Sequence, residues 1–278
     1  MRVLLIKMSS LGDVVHTLPA VTDAAAHGIV FDWVVEEAFA PIAAALPGVR
    51  RVLPIAWRRW RRNLISERAA LMEFGRALRS ERYDLILDAQ GLIKSAAVAL
   101  LGRADGRAGL NFTSAREPWS AFVSGRRLTI PVGGHAVDRL RMLFAGALGY
   151  LPPRTAPDFG LEPDAAQERS CLLLHGTTWA SKHWPEPMWK ALAGRLAEEG
   201  WQVELPWGSE EERLRAEWIA AGTSGVEVLP ALTLTGIGGK IASAGLVVGV
   251  DSGLTHLAGA SSRPTVVIYG STSAVRTG

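Results

Sequence analysis

One cysteine, Cys171, stands in a chain of 278 residues, so no disulfide closes within it. It lies in an apolar run, Cys171-Leu172-Leu173-Leu174, and reads as a buried, inert thiol of a reducing compartment. No window approaches the ~20 apolar residues that cross a bilayer. The opening run from Met1 is short and broken by Lys7, which does not make a secretory leader. These absences predict a cytosolic protein. The lone cysteine and scattered histidines lack zinc spacing, so no metal centre is expected. The dinucleotide fingerprint G-x-G-x-x-G, the P-loop G-x-x-x-x-G-K-[ST] and the nucleophile elbow G-x-S-x-G are all missing. Internal repeats, low-complexity tracts and coiled-coil patterns are missing too.

The composition that remains, 48% hydrophobic and 21% charged, is that of a globular protein. Short β-branched runs alternate with helical stretches from end to end. Strands are expected at 3–6, 31–35, 52–55, 85–87, 172–175, 203–205, 226–229, 246–250 and 265–269. Helices are expected at 14–26, 66–80, 92–101, 137–148, 186–199, 210–220 and 234–244. This alternation predicts an α/β protein with parallel sheets covered on both faces. The proline-rich stretch Leu151–Gly160, extended by Glu162-Pro163, interrupts it. Two doubly wound domains follow, 1–155 and 156–278, with ligands expected beyond the carboxyl ends of the strands and in the cleft between domains.

Three strand-to-helix turns carry candidate chemistry. In Lys7-Met8-Ser9-Ser10-Leu11-Gly12-Asp13 the aspartate either caps the following helix or does chemistry at its mouth. In the segment 175–185, Thr177, Thr178 and Lys182 suit a diphosphate cradle at a helix start, or else form a polar loop. In 250–256, Asp251 and His256 follow a strand, five residues apart and free to face different ways. A fourth feature is the run Trp57-Arg58-Arg59-Trp60-Arg61-Arg62. It is either a solvated face or a contact for an anionic, partly apolar partner. No nucleic-acid motif accompanies it, and the net charge is only +3.

Taken together, several segments resemble glycosyltransferase family 9, the ADP-heptose-dependent heptosyltransferases. They are Met1–Leu4, Ser9–Ala20, Phe31–Glu37, Asp88–Ser95, Ala115–Pro118, Lys182–Pro185, Leu205–Gly208 and Asp251–His256. Each alone is weak; their order and spacing are specific. The segment Asp88-Ala89-Gln90-Gly91 points to the branch that adds the first heptose of the lipopolysaccharide inner core rather than the second.

The resemblance implies a two-domain glycosyltransferase B (GT-B) fold: an acceptor-binding N-terminal and a donor-binding C-terminal Rossmann-like domain. It implies an inverting transfer from ADP-L-glycero-β-D-manno-heptose to Kdo of Kdo2-lipid A, with no metal and no cofactor, at the cytoplasmic face of the inner membrane. It assigns the base to Asp13. The donor falls to Thr177, Thr178, Lys182, Glu212 (ribose), Leu232 (adenine), Asp251, Ser252, Gly253 and His256. The anionic acceptor falls to Arg58, Arg59, Arg61, Arg62 and Arg116. Leu232 and Ser252 stand where the family pattern has Met and Thr, with bulk or hydroxyl kept. The chain stops at Gly278, so a shortened C-terminal domain is expected. Competing readings are a nucleotide-sugar epimerase or nicotinamide dehydrogenase, whose glycine fingerprint and Tyr-x-x-x-Lys are absent, and a non-catalytic nucleotide-sugar or anionic-glycolipid binding protein.

Overall fold

The computed structural model describes residues 1–63, 65–161 and 164–278. The proposed linker extension at Glu162-Pro163 lies outside the described residues. The chain divides into two compact units, Met1–Gly160 and Leu161–Gly278.

The first unit runs β1 (Arg2–Ile6), α1 (Leu11–Ala26), β2 (Val30–Glu36), α2 (Ala40–Ala44), β3 (Val49–Ile55), α3 (Trp57–Trp60), α4 (Arg68–Arg79), β4 (Arg82–Asp88), α5 (Ile93–Leu101), β5 (Arg103–Leu110), β6 (Arg126–Leu128) and α6 (Ala136–Leu148). Its six strands lie in the order β3-β2-β1-β4-β5-β6, and every described pairing is parallel. Val3 to Ile6 are wholly buried, as a central parallel strand covered on both faces requires. On one face Leu4, Ile6, Val34, Ile55 and Ile86 pack with Trp60, Phe74 and Leu78 of α3 and α4. Elsewhere α1 packs on α6, and Phe31 of β2 meets Phe144 of α6 with ring centroids 5.8 Å apart.

β5 and β6 are additions to the sequence expectation. Arg-Ala-Asp-Gly-Arg-Ala-Gly-Leu has no β-branched residue, yet it pairs with β4 from Arg82↔Arg103 to Asp88↔Gly109. Small side chains serve close approach here. A Cβ on Gly109 would sit 2.7 Å from Ser124 Oγ and 3.2 Å from Asp88 O. Strand propensity reports fit to neighbours rather than an intrinsic preference, and composition missed this fit.

The second unit runs β7 (Gln167–Leu174), α7 (Glu186–Glu198), β8 (Gln202–Leu205), α8 (Glu210–Ala220), β9 (Val226–Val228), α9 (Leu234–Ser243), β10 (Ala244–Val250), α10 (Gly253–Ala260), β11 (Thr265–Ile268) and α11 (Ala274–Thr277). The strand order is β11-β10-β7-β8-β9, again parallel at every described pairing. Cys171 and Leu173 pack with Trp189, Val203, Ala216, Ile219 and Val250 in its core. Burial pushes the Cys171 thiol up to about 12, which keeps it protonated and inert at neutral pH.

Each sheet therefore reverses its winding once, between β1 and β4 in the first unit and between β7 and β10 in the second. At such a switch point neighbouring strand-to-helix connections leave in opposite directions, and a crevice opens beyond the carboxyl ends of the strands. The turns singled out in the sequence fall there.

Candidate functional site

At the first switch point, β1 delivers Lys7 and the turn to α1. Ser10 is the N-cap, and Asp13 sits three residues on and folds back. Its Oδ2 accepts from Ser10 N at 2.9 Å and Ser10 Oγ at 3.0 Å. Its Oδ1 faces the buried Lys7 Nζ at 3.1 Å. Capping and charge pairing thus share one carboxylate, one oxygen each. Burial alone would raise the Asp13 pKa. The Lys7 charge, the Ser10 N–H and both side-chain bonds outweigh it and pull the value down to about 2. Asp13 is therefore ionised but weakly basic, because the buried Lys7 stabilises its charge.

Asp13 lines a cavity of about 170 Å³ with Lys7, His16, Gln90, Ser114, Arg116 and Arg139. Arg116 also borders a second cavity, of about 550 Å³, with Ser9, Glu36, Trp57, Arg58, Arg61, Lys94 and Glu117. Four cations there face two carboxylates. The crowding is felt by Lys94: burial lowers its pKa, and the Arg58 and Arg61 charges add to the lowering against Glu36.

The arginine run does not act as a block. Arg58 and Arg61, three apart on a helical turn, share the cation-rich cavity. Arg59 pairs with Glu37 at 3.3 Å and Glu67 at 3.6 Å and borders a different, more apolar hollow beside Trp60 and Phe74. Arg62 is exposed and lines neither of the two cavities. Lys94, which donates to Ser9 Oγ at 3.2 Å, belongs with Arg58 and Arg61 and was overlooked.

In the second unit, the donor candidates leave the carboxyl ends of four strands of one sheet. Thr177, Thr178 and Lys182 follow β7, Glu212 follows β8, Leu232 follows β9, and Asp251 to His256 follow β10. Lys182 lies in a short 3₁₀ turn, Ala180–Lys182, and α7 begins four residues later at Glu186. The expected lysine at the mouth of that helix is therefore corrected: Pro185 biases Trp184 away from helix and delays the start.

Lys182 instead crosses the switch point. Its Nζ donates to Asp251 Oδ2 at 2.6 Å and approaches Asp251 O at 3.4 Å. Asp251 Oδ2 also accepts from Thr272 Oγ1 at 2.6 Å, and Oδ1 bonds His256 Nε2 at 2.9 Å. Asp251 and His256, which their spacing left unpaired, are thus partners. Burial raises the Asp251 pKa, and Lys182, Thr272 and His256 overcome this to hold it below the usual carboxylate range. An ammonium has three donors. Two of these go to Asp251, and no other described protein group is bonded to the Lys182 ammonium.

Ser252 is the N-cap of α10 and accepts from Thr255 N at 3.5 Å. Gly253, at the first helical position, keeps the backbone N–H groups of that turn uncrowded. Thr255 Oγ1 donates to Val250 O at 2.7 Å, and a Cβ on Gly249 would strike the Thr255 hydroxyl oxygen at 2.3 Å. Glu212, in the first turn of α8, accepts from Gly208 N at 2.7 Å. A Cβ on Gly176 would lie 2.3 Å from its Oε1, so a larger residue in the turn after β7 would push the Glu212 carboxylate aside. Thr177 is half-buried, Thr178 exposed and Leu232 half-buried. Thr272 was missed; the signal was the hydroxyl-rich Ser271-Thr272-Ser273 following a strand end.

Among the described residues, no group of three or more His, Cys, Asp or Glu is placed to hold a metal ion. No described helix is long and apolar enough to cross a membrane.

Comparison with known proteins decides the family. The profile of glycosyltransferase family 9 (heptosyltransferase) matches residues 71–278. The chain belongs to glycosyltransferase family 9. It is 48% identical over 287 residues to lipopolysaccharide heptosyltransferase 1 of Pseudomonas aeruginosa, covering all of this chain and 81% of that protein. It is also similar to two structures of the heptosyltransferase WaaC of E. coli, both at 44% identity. The one with ADP superposes with a TM-score of 0.93 over all of this chain and 90% of WaaC. The one with ADP-2-deoxy-2-fluoro heptose gives 0.90 over 98% and 90%. The two parallel α/β sheets are those of a GT-B glycosyltransferase, and this family 9 chain is one.

Proposed function

We propose that the chain moves L-glycero-D-manno-heptose from ADP-L-glycero-β-D-manno-heptose to a Kdo sugar of Kdo2-lipid A, adding the first heptose of the lipopolysaccharide inner core. The observation that carries this reading is the likeness, over nearly the whole chain, to WaaC holding an ADP-heptose analogue.

The second unit takes the donor. Lys182 and the first-turn N–H groups of α10 offset the diphosphate charge without a metal. Glu212 accepts from ribose hydroxyls, Leu232 borders the adenine, and Thr177 and Thr178 face diphosphate and sugar. Asp251 holds Lys182 and His256 in place, with Ser252 and Gly253 opening the helix.

The first unit takes the acceptor. Kdo carboxylates and lipid A phosphates suit arginine forks. Arg58, Arg61 and Arg116 meet them in the cation-rich cavity. Arg59 and Arg62 are left for the rim and for anionic lipid at the cytoplasmic face of the inner membrane. The acceptor hydroxyl attacks the anomeric carbon, the bond from that carbon to the diphosphate oxygen breaks, and ADP leaves with the electron pair. Asp13 takes the hydroxyl proton, and the configuration inverts.

The test is ADP release by the purified chain given ADP-heptose with and without Kdo2-lipid A, with mass analysis of the lipid. Acceptor-dependent release and a lipid heavier by one heptose support the reading. Donor and lipid that bind without release leave a non-catalytic binding protein.

A further inference from the structure

The first switch point contains an arrangement that the transfer reaction as described above does not use. Gln90, in the turn after β4, reaches across to the turn after β1. Its Oε1 accepts from Met8 N at 2.9 Å and from Ser9 N at 3.2 Å, and its Nε2 donates to Ser9 O at 2.7 Å. Two amide N–H groups can only donate and a carbonyl can only accept, so the network fixes which way the side-chain amide faces. One residue thereby takes the place of a strand partner for a stretch of backbone beyond the end of the sheet.

Gln90 is itself held. The buried Asp88 carboxylate accepts from Gln90 N at 2.9 Å and Gly91 N at 3.1 Å through Oδ1, and from Ser95 Oγ at 2.9 Å through Oδ2. Gly91 has φ +66°, a left-handed conformation that glycine adopts without strain and that lets the turn fold over Asp88. Lys94 adds a bond from one turn further on to Ser9 Oγ. The backbone gripped by Gln90 runs directly into Ser10, whose N–H and hydroxyl hold Asp13 Oδ2.

We propose that Gln90 is a positioning residue for the transfer: its amide clamps the Met8–Ser9 backbone so that Ser10 and Lys7 present the Asp13 carboxylate to the acceptor hydroxyl. This rests on the assignment of Asp13 as base. Without the clamp, three backbone groups lose their partner and the turn is free to shift, while the sheet below keeps its own hydrogen bonds.

The experiment is a double-mutant cycle on Gln90→Ala and Asp13→Asn, read by kcat, acceptor KM, ADP affinity and thermal unfolding. A displacement of about 1 Å is enough to cost roughly 100-fold in rate. Gln90→Ala is expected to lower kcat about 10- to 100-fold on that basis, with acceptor KM and ADP affinity within about twofold. In the Asp13→Asn background it is expected to add little, because a base already lost cannot be misplaced. Gln90→Glu keeps the acceptor for Met8 and Ser9 N–H and loses the donor to Ser9 O, so its kcat should fall between wild type and Gln90→Ala. It carries the cycle if the alanine variant does not fold.

An equal loss of kcat in both backgrounds would show a general structural role and overturn the proposal. An unchanged kcat, or a change confined to acceptor KM, would overturn it too, the latter by making Gln90 a substrate contact. Near-normal turnover in Asp13→Asn alone would remove the base assignment first and the clamp with it.

Discussion

Both units place a lysine against an aspartate at the switch point of a parallel sheet, and the two pairs are buried in opposite senses. In the first, Lys7 is sunk, its side chain 7% exposed, while Asp13 is 45% exposed. In the second, Asp251 is sunk at 4% and Lys182 is open at 21%. The same two charges therefore offer opposite faces. The first turn shows a carboxylate whose counter-ion is held behind it; the second shows an ammonium whose counter-ion is held behind it. A carboxylate facing outward suits taking a proton from a neutral hydroxyl, and an ammonium facing outward suits a diphosphate. The chain seats each pair by a different route. Lys7 and Asp13 belong to one turn, whereas Lys182 and Asp251 are 69 residues apart and meet only because β7 and β10 are neighbours.

The largest expected effect breaks the first pair. Asp13→Asn keeps an acceptor for the Ser10 N–H and removes the base, so kcat should fall about 100-fold or more. The thermal unfolding temperature should fall as well, because the buried Lys7 loses its counter-ion, so the loss of the base is read from kcat at a temperature well below the transition.

A second change sharpens the comparison by removing the buried counter-ion. With its pKa near 2, Asp13 is ionised throughout the neutral range, and its acidic limb on the rate lies well below pH 4. The Asp13 contribution to stability has the same sign. It is complete above the unfolded carboxylate value of about 4 and is lost as pH falls towards 2. Lys7→Met removes the charge and one bond to Asp13 while the Ser10 bonds stay, so the acidic limb should move up towards about 4. A pH–rate profile of kcat/KM on this variant checks it; an unmoved limb would mean that Lys7 does not set the Asp13 charge.

A smaller effect concerns the arginines. Arg58→Ala with Arg61→Ala should raise acceptor KM about tenfold and flatten its salt dependence, since charge-assisted contacts carry about 1.5–3 kcal/mol and part of that is screened here. Arg59→Ala with Arg62→Ala should change KM less than about threefold, because Arg59 is engaged by Glu37 and Glu67 and neither arginine lines the cation-rich cavity. Equal effects from both double variants would return the run to a single undivided patch.

Most of the fold was legible in the sequence because buried parallel strands announce themselves as apolar runs, and turns as glycine and hydroxyl clusters. β5 was not, because its Gly-Ala-Arg pattern is read only against β4 and Ser124. The candidate site was legible at the level of turns. Asp13, Lys182, Asp251 and His256 were found because they follow strand ends. What holds them was not: Gln90 acts on Ser9 across 81 residues, and Thr272 on Asp251 across 21. Strand order decides those contacts, and local pattern does not encode it. The arginine run shows the converse, where four residues alike in sequence are divided by one helical turn.

Calorimetric titration of ADP into Asp13→Asn and Lys182→Ala, side by side with the unaltered chain, tests most directly whether the two inverted pairs divide the work. Lys182→Ala should weaken ADP roughly 10- to 150-fold, the equivalent of about 1.5–3 kcal/mol for a lost charge-assisted contact. Asp13→Asn should bind ADP as the unaltered chain does. ADP affinity undiminished in Lys182→Ala, or lost equally in Asp13→Asn, would contradict the assignment of donor to one switch point and proton transfer to the other.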